Sequence, residues 1–365
     1  MFLAAFLYVF SQTSLFINQK DLITALALSF FLLGVVLPLS VNARARNFLI
    51  KPSFQISSFV VLLFATLSVD FDNLVVIYKI VILLLATTLF LSPRGLATVE
   101  RYADGALLSV IFIAILAKLQ VIPSEQYSAH ELWQKESGGF SNPNNGPYFV
   151  YVCMLIYFIR VNLKKASIAM GLLIFLFYSD VFSRTYLVLT TLLFVATICN
   201  VKFPRLLRPL HGLVGLIALI AMLAGLFFYI GIFMYPDILQ RFQGTPLDLI
   251  TSYRISIALE GGVYNSDSIL GVSFTRLDSL YVELIYSCGP LFLLFFFVQF
   301  LRNLFASHPN STEMRIHIGI SAVLIAGLFE IQLFNITPVG PMILLYGITK
   351  IKISPRFSTA SKIRS

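Results

Sequence analysis

Apolar residues run in long unbroken blocks along this chain, and short clusters of charge, Pro, Gly or Asn separate one block from the next. Runs such as 22–41 and 213–234 are about 20 residues long, enough for a helix rising 1.5 Å per residue to cross about 30 Å of hydrocarbon. Strands of a membrane barrel would instead alternate apolar and polar positions over about ten residues. The blocks predict twelve helical spans: 1–17, 22–41, 54–69, 74–91, 104–122, 147–163, 167–181, 185–200, 211–234, 277–301, 316–334 and 337–350. Residues 1–17 have no basic leader and no small-x-small cleavage site, so they read as a short first span and not as a signal peptide. The expected fold is an all-α polytopic membrane protein, one integral membrane domain over residues 1–365.

The connections sort by charge. With the N-terminus cytoplasmic, basic residues such as Arg44, Arg94, Arg101, Arg160, Lys164, Lys165, Arg205, Arg208 and Arg315 share the cytoplasmic side. The opposite side keeps Lys20, Lys135, Arg184, Arg241, Arg254 and Arg276, together with most of the acids. This is the positive-inside bias, and an even number of spans leaves the basic tail 351–365 cytoplasmic as well. Two external segments exceed turn length, 123–146 and 235–276, and both mix aromatics with charges. Long loops on one face of a compact protein point function to that face.

Composition excludes several classes. With 58% hydrophobic and 12% charged residues and a mean hydropathy of +0.88, the chain has no soluble core to build. The net charge of +9 does not gather with aromatics on a soluble module, so nucleic acid is not an expected partner. Cys153, Cys199 and Cys288 fall in or beside apolar runs without metal-finger or redox spacing. No phosphate-loop lysine motif, zinc-protease helix or nucleophile elbow occurs. Asp70-Phe71-Asp72 has the spacing of a sugar-transferase metal triplet, but two helix-end aspartates in a short turn explain it as well.

The charges retained inside or beside spans are the candidate chemistry. Lys79, Lys118, Glu283 and Glu330 fall within predicted spans, where a central charge costs about 2.5–3.5 kcal/mol, so each must snorkel, pair or line a wet cavity. Arg184, in Ser183-Arg184-Thr185, stands at the outer start of a span. It is either an interfacial anchor or a fixed cation at the mouth of an outward cavity, where a guanidinium fork suits phosphate. From Arg254 the sequence predicts a short amphipathic surface helix, a turn at Leu270-Gly271, and a helix carrying Arg276, Asp278, Tyr281 and Glu283. Asp278, Tyr281 and Ile285 share one face of that helix, while Glu283 points elsewhere, so the two acids cannot both act at one atom.

With these residues laid out, the chain resembles the Wzy-type O-antigen polymerases of the bacterial inner membrane, in the polymerase and ligase group of GT-C-like architecture. The matches are the whole-length hydropathy, Ser183-Arg184-Thr185, Arg254 early in the large loop, Leu270-Gly271, and Asp278-Ser279-Leu280-Tyr281 leading to Gly289. The resemblance implies transfer of a growing glycan from undecaprenyl diphosphate to the nonreducing end of another lipid-linked repeat unit, at the periplasmic face. It implies that Arg184, Arg254 and Arg276 neutralise the diphosphate, and that Asp278, or second Glu283, accepts the acceptor proton. Trp133, Asn145 and Tyr281 would contact sugar, although an interfacial anchor and a plain turn explain the first two equally well. No metal and no cofactor are implied. The implied partners are undecaprenyl-diphosphate-linked oligosaccharides, membrane lipid, a chain-length regulator and a flippase. O-antigen ligases usually carry a His where Asp278 stands, and the only external His here is His130. A lipid-linked oligosaccharide flippase is the remaining alternative, and the two long external loops argue against it.

Overall fold

The computed structural model describes residues 1–41, 81–91, 93–124, 126–130, 133–181, 183–234, 240–245, 263–265, 272–274, 290–304 and 311–327, with Asp237 and scattered positions between 46 and 63. Nine helices account for most of them: α1 (Phe2–Phe10), α2 (Lys20–Val41), α3 (Pro93–Lys118), α4 (Asn145–Arg160), α5 (Leu163–Tyr178), α6 (Arg184–Lys202), α7 (Leu207–Met234), α8 (Pro290–Leu304) and α9 (Ser311–Ala326). Two antiparallel hairpins depart from the all-helical expectation. One pairs β1 (Gln126–His130) with β2 (Trp133–Glu136), the other β3 (Val263–Asn265) with β4 (Val272–Phe274). Both fall in the long loops, where no apolar run commits the backbone to a helix.

Two segments, Arg184–Lys202 and Pro204–Gly225, are long and apolar enough to cross a membrane by length and composition. Their outward stripes suit hydrocarbon. Val188, Leu192 and Val195 on α6 and Leu213, Leu216, Ile217, Ile220 and Leu223 on α7 are all exposed at helical spacing. The interior lies on α4, which is buried from Asn145 through Ile159 and packs against α3, α5, α6 and α9.

From α3 to α7 the chain reverses between consecutive helices, which gives this part of the bundle two ends. At one end, here the basic end, Arg315 donates from Nε to the carbonyl of Ile159 at 2.9 Å, serving the last turn of α4. Beside it, Glu100 of α3 accepts from Arg160 (2.9 Å), Asn162 (2.8 Å) and Lys165 (2.9 Å). Lys165 also donates to Asp104 at 2.8 Å, and the Tyr157 hydroxyl donates to the other oxygen of Asp104 at 3.1 Å. The network rests on a tight reversal between α4 and α5. Val161 takes a left-handed φ of 58°, and Asn162 caps α5 by accepting from the Lys165 amide. The same end holds a contact between His211 of α7 and His317 of α9, ring nitrogens 3.2 Å apart.

Two predicted spans need correction. Residues 1–17 do not form one helix: α1 stops at Phe10, and a 3-10 segment, Ser14–Gln19, follows. Gln12 and Thr13 are instead held by the far loop, with Ser141 donating to the Gln12 carbonyl (2.9 Å) and Thr13 bridging Phe140. The predicted span 104–122 is helical from Pro93 to Lys118, because Arg94, Glu100, Arg101 and Asp104 belong to the helix and not to a loop. Proline at its first position lacks only an amide that would be unpaired there anyway.

The α1–α3 contact depends on small residues. A Cβ built at Gly105 would overlap the backbone carbonyl oxygen of Phe2, and Ser109, one turn on, donates to the Phe6 carbonyl at 3.2 Å. The backbone of α1 cannot yield as a flexible side chain would. Gly105→Ala is therefore expected to destabilise by about 1–3 kcal/mol. Thermal unfolding in detergent would show it as a lowered Tm, and an unchanged Tm would mean that α1 does not pack here.

Candidate functional site

The other end of the bundle, the hairpin end, is where the long loop 123–146 folds down. Gly138 and Gly139 take φ of 58° and 84°, a left-handed pair that returns the chain from β2 toward α4. The Gly138 amide donates to Ser124 Oγ at 3.0 Å, and the Ser14 amide donates to the Gly139 carbonyl at 3.1 Å. The amide of Glu136 donates to the Asp180 carbonyl at 3.1 Å, tying the hairpin to the turn between α5 and α6. Asp180 itself is left-handed, with φ of 57°.

This stitching encloses a cavity lined by Lys118, Ser124, Glu136, Gly138, Ser179 and Val181, among others. Its volume is about 30 Å³. That holds a water molecule or so, whereas a site that engulfs an organic ligand needs about 300–1,000 Å³. Lys118 is the last residue of α3, where the helix dipole favours a cation. Glu136 receives a bond from Ser124 Oγ at 3.4 Å. The cavity is a small packing gap beneath the hairpin, and Arg184 does not line it.

Arg184 and Asn145 lie beside a different feature. Asn145 opens α4 and Arg184 opens α6; the two helices pack together and run the same way, so both present N-terminal ends at the hairpin end. Ring contacts set them level: Tyr148 lies 5.2 Å and Tyr151 5.5 Å from Tyr186, centroid to centroid. Two aligned helix N-termini carry partial positive charge, and Arg184, exposed in the first turn of α6, adds a full one. Anions are the ligands such an end attracts.

Beneath that surface the packing holds more polar atoms than it satisfies. Asn145 is 2% exposed, and Tyr151 and Thr190 are fully buried. Asn145 Oδ1, the Tyr151 hydroxyl and Thr190 Oγ1 have no hydrogen-bond partner among the described residues. Each such atom costs about 1–3 kcal/mol if left dry. Two of the three lie on α4 and the third on α6, the helix packed against it.

Of the other predicted site residues, Trp133 opens β2, its backbone paired in register with His130 next to an irregularity in the ladder. Its side chain lies outside the described residues, as do Arg254, Arg276, Asp278, Tyr281 and Glu283 entirely. The hairpin β3–β4 falls between Arg254 and Arg276 in sequence, and pairs Val263 with Phe274, two positions before Arg276. The structure thus brings together the helices of Arg184 and Asn145. The buried tyrosines around them escape sequence reasoning, because Tyr in an apolar run reads as ordinary core. Comparison with protein-family models, with curated proteins and with solved structures gives no match for this chain.

Proposed function

We propose that this chain is an inner-membrane glycosyltransferase of the O-antigen polymerase type, with about twelve spans, GT-C-like architecture, cytoplasmic termini and a periplasmic active face. The observation that carries the reading is the pair of parallel helix starts at Asn145 and Arg184, the second adding an exposed guanidinium at the same end. An anionic substrate offers the negative charge that the two aligned helix ends and the Arg184 guanidinium attract. The basic end, with Arg160, Lys165 and Arg315, lies opposite, as the positive-inside rule requires of a periplasmic hairpin end.

In the proposed reaction a hydroxyl of the acceptor repeat unit attacks the anomeric carbon of the donor glycan. The bond from that carbon to the diphosphate oxygen breaks, and undecaprenyl diphosphate leaves with the electron pair. Arg184, with Arg254 and Arg276 from the large loop, neutralises the charge gathering on the diphosphate. Asp278 accepts the hydroxyl proton, with Glu283 the second candidate. Tyr281, Trp133 and Asn145 hold the sugars.

Deleting the gene in a strain that assembles a lipid-linked repeat polymer tests the reading. The expected result is surface glycan one repeat long, restored to a ladder by the intact gene. A normal ladder in the deletion strain rejects it. Accumulation of cytoplasm-facing lipid-linked repeats would identify a flippase instead.

A further inference from the structure

The elbow between α6 and α7 joins the two segments that are long and apolar enough to cross a membrane, so a chain that crosses twice must place this elbow at a membrane surface. It is built as Lys202-Phe203-Pro204-Arg205-Leu206-Leu207-Arg208, with a 3-10 turn over Pro204–Leu206. Proline fixes the turn, and the Leu206 amide closes it on the Phe203 carbonyl at 2.9 Å. That bond sets Phe203 and Leu206 one turn apart, and both stay exposed, at 58% and 49%. Lys202, Arg205 and Arg208 are exposed between and beside them.

Nothing acidic is near in sequence: no Asp or Glu occurs between Asp180 and Asp237. The ion pairs among the described residues all belong to the Glu100 and Asp104 network. Three cations and two large apolar side chains on one short elbow therefore await a partner that is anionic and apolar at once. A soluble anion would leave Phe203 and Leu206 uncovered. A neutral lipid would leave three charges unanswered.

We propose that this elbow is a binding site for an anionic phospholipid, with Lys202, Arg205 and Arg208 on the headgroup phosphate and Phe203 and Leu206 against the upper acyl chain. Each basic residue near an anionic membrane surface contributes about fivefold, so the three together contribute on the order of a hundredfold. The site anchors the α6–α7 hairpin at a fixed depth. It thereby fixes the height of Arg184 at the far end of α6, 18 residues away, without touching it.

The test uses the full chain in nonionic detergent, titrated separately with short-chain phosphatidylglycerol, short-chain phosphatidylcholine and inorganic phosphate. Phosphatidylglycerol is expected to bind about tenfold or more tightly than either of the others. The variant K202Q/R205Q/R208Q should bind it on the order of a hundredfold more weakly. The variant R94Q/R101Q/K164Q, which removes three other exposed cations, should bind it as the parent does. F203S/L206S, with every charge kept, should lose about tenfold for the lipid and nothing for phosphate. Equal binding of the two lipids overturns the proposal, as does equal loss in both triple variants. Phosphate bound as tightly as phosphatidylglycerol would assign the elbow to a soluble anion and overturn it too.

Discussion

Replacing Glu100 by alanine is expected to destabilise the bundle by about 2 kcal/mol. The figure lies between two limits. Breaking a fully buried ion pair costs about 3–5 kcal/mol, because the remaining charge has no water, whereas an exposed pair is worth about 0–1 kcal/mol. Glu100 is nearly buried, its side chain 12% exposed, but Arg160 and Lys165 keep 31% and 33% of their side-chain surface in solvent. Lys165 also retains Asp104 after the substitution, so Arg160 and Asn162 bear most of the loss. The bridge they make joins α3 to the reversal between α4 and α5.

The same network sets a pH dependence. Burial by itself raises the Glu100 carboxyl, but hydrogen bonds from Lys165, Arg160 and Asn162 outweigh it and lower the pKa from 4.5 to about 2. A carboxyl lowered on folding stabilises the native state fully above its unfolded pKa, and that contribution disappears as pH falls through the folded one. Tm should therefore decline between pH 4.5 and about 2 in the parent. Glu100→Gln, which keeps the shape and removes the titration, should show less of this decline. Parallel pH curves for the two would mean that Glu100 is not the group responsible.

How much of this was legible in the sequence depends on which forces shaped each element. The starts and stops of α4, α5, α6 and α7 follow from apolar runs punctuated by Asn, Gly, Pro and charge, and those signals are local. The end of α1 is not local. The polar run Ser11-Gln12-Thr13-Ser14 marks the break, but Gln12, Thr13 and Ser14 are held by residues 139–141, more than a hundred positions away, and no local pattern predicts that partner. The start of α3 was hidden for the opposite reason. Arg94, Glu100, Arg101 and Asp104 look like a polar connection until partners from another hairpin pair two of them, after which helix is the cheaper state. At the candidate site, Arg184 is legible as a charge at the outer start of an apolar run, and Asn145 only as one residue of an Asn-rich loop. The polar atoms of Tyr151 and Thr190 are not legible, since only packing shows whether a hydroxyl in an apolar run finds a partner.

Under the proposed function, Arg184→Ala is expected to reduce polymerisation by about 10²–10³-fold while the folding stability stays within about 1 kcal/mol of the parent. The two halves of that expectation have separate physical grounds. For stability, an exposed cation in the first turn of a helix opposes the macrodipole by about 0.3–1 kcal/mol, which offsets the exposed contacts its removal gives up. For catalysis, the charge on a departing diphosphate grows as the sugar bond breaks, and a guanidinium fixed at that point lowers the barrier more than it tightens ground-state binding. Polymer length in cells should collapse toward a single repeat, and turnover with purified lipid-linked substrate should fall in kcat more than it rises in KM. Arg184→Lys keeps the charge but loses the planar fork, and should recover only part of the rate. If rate and Tm fall together in the alanine variant, Arg184 anchors α6 at the membrane surface. If neither falls, the level helix ends at Asn145 and Arg184 serve some ligand other than the diphosphate.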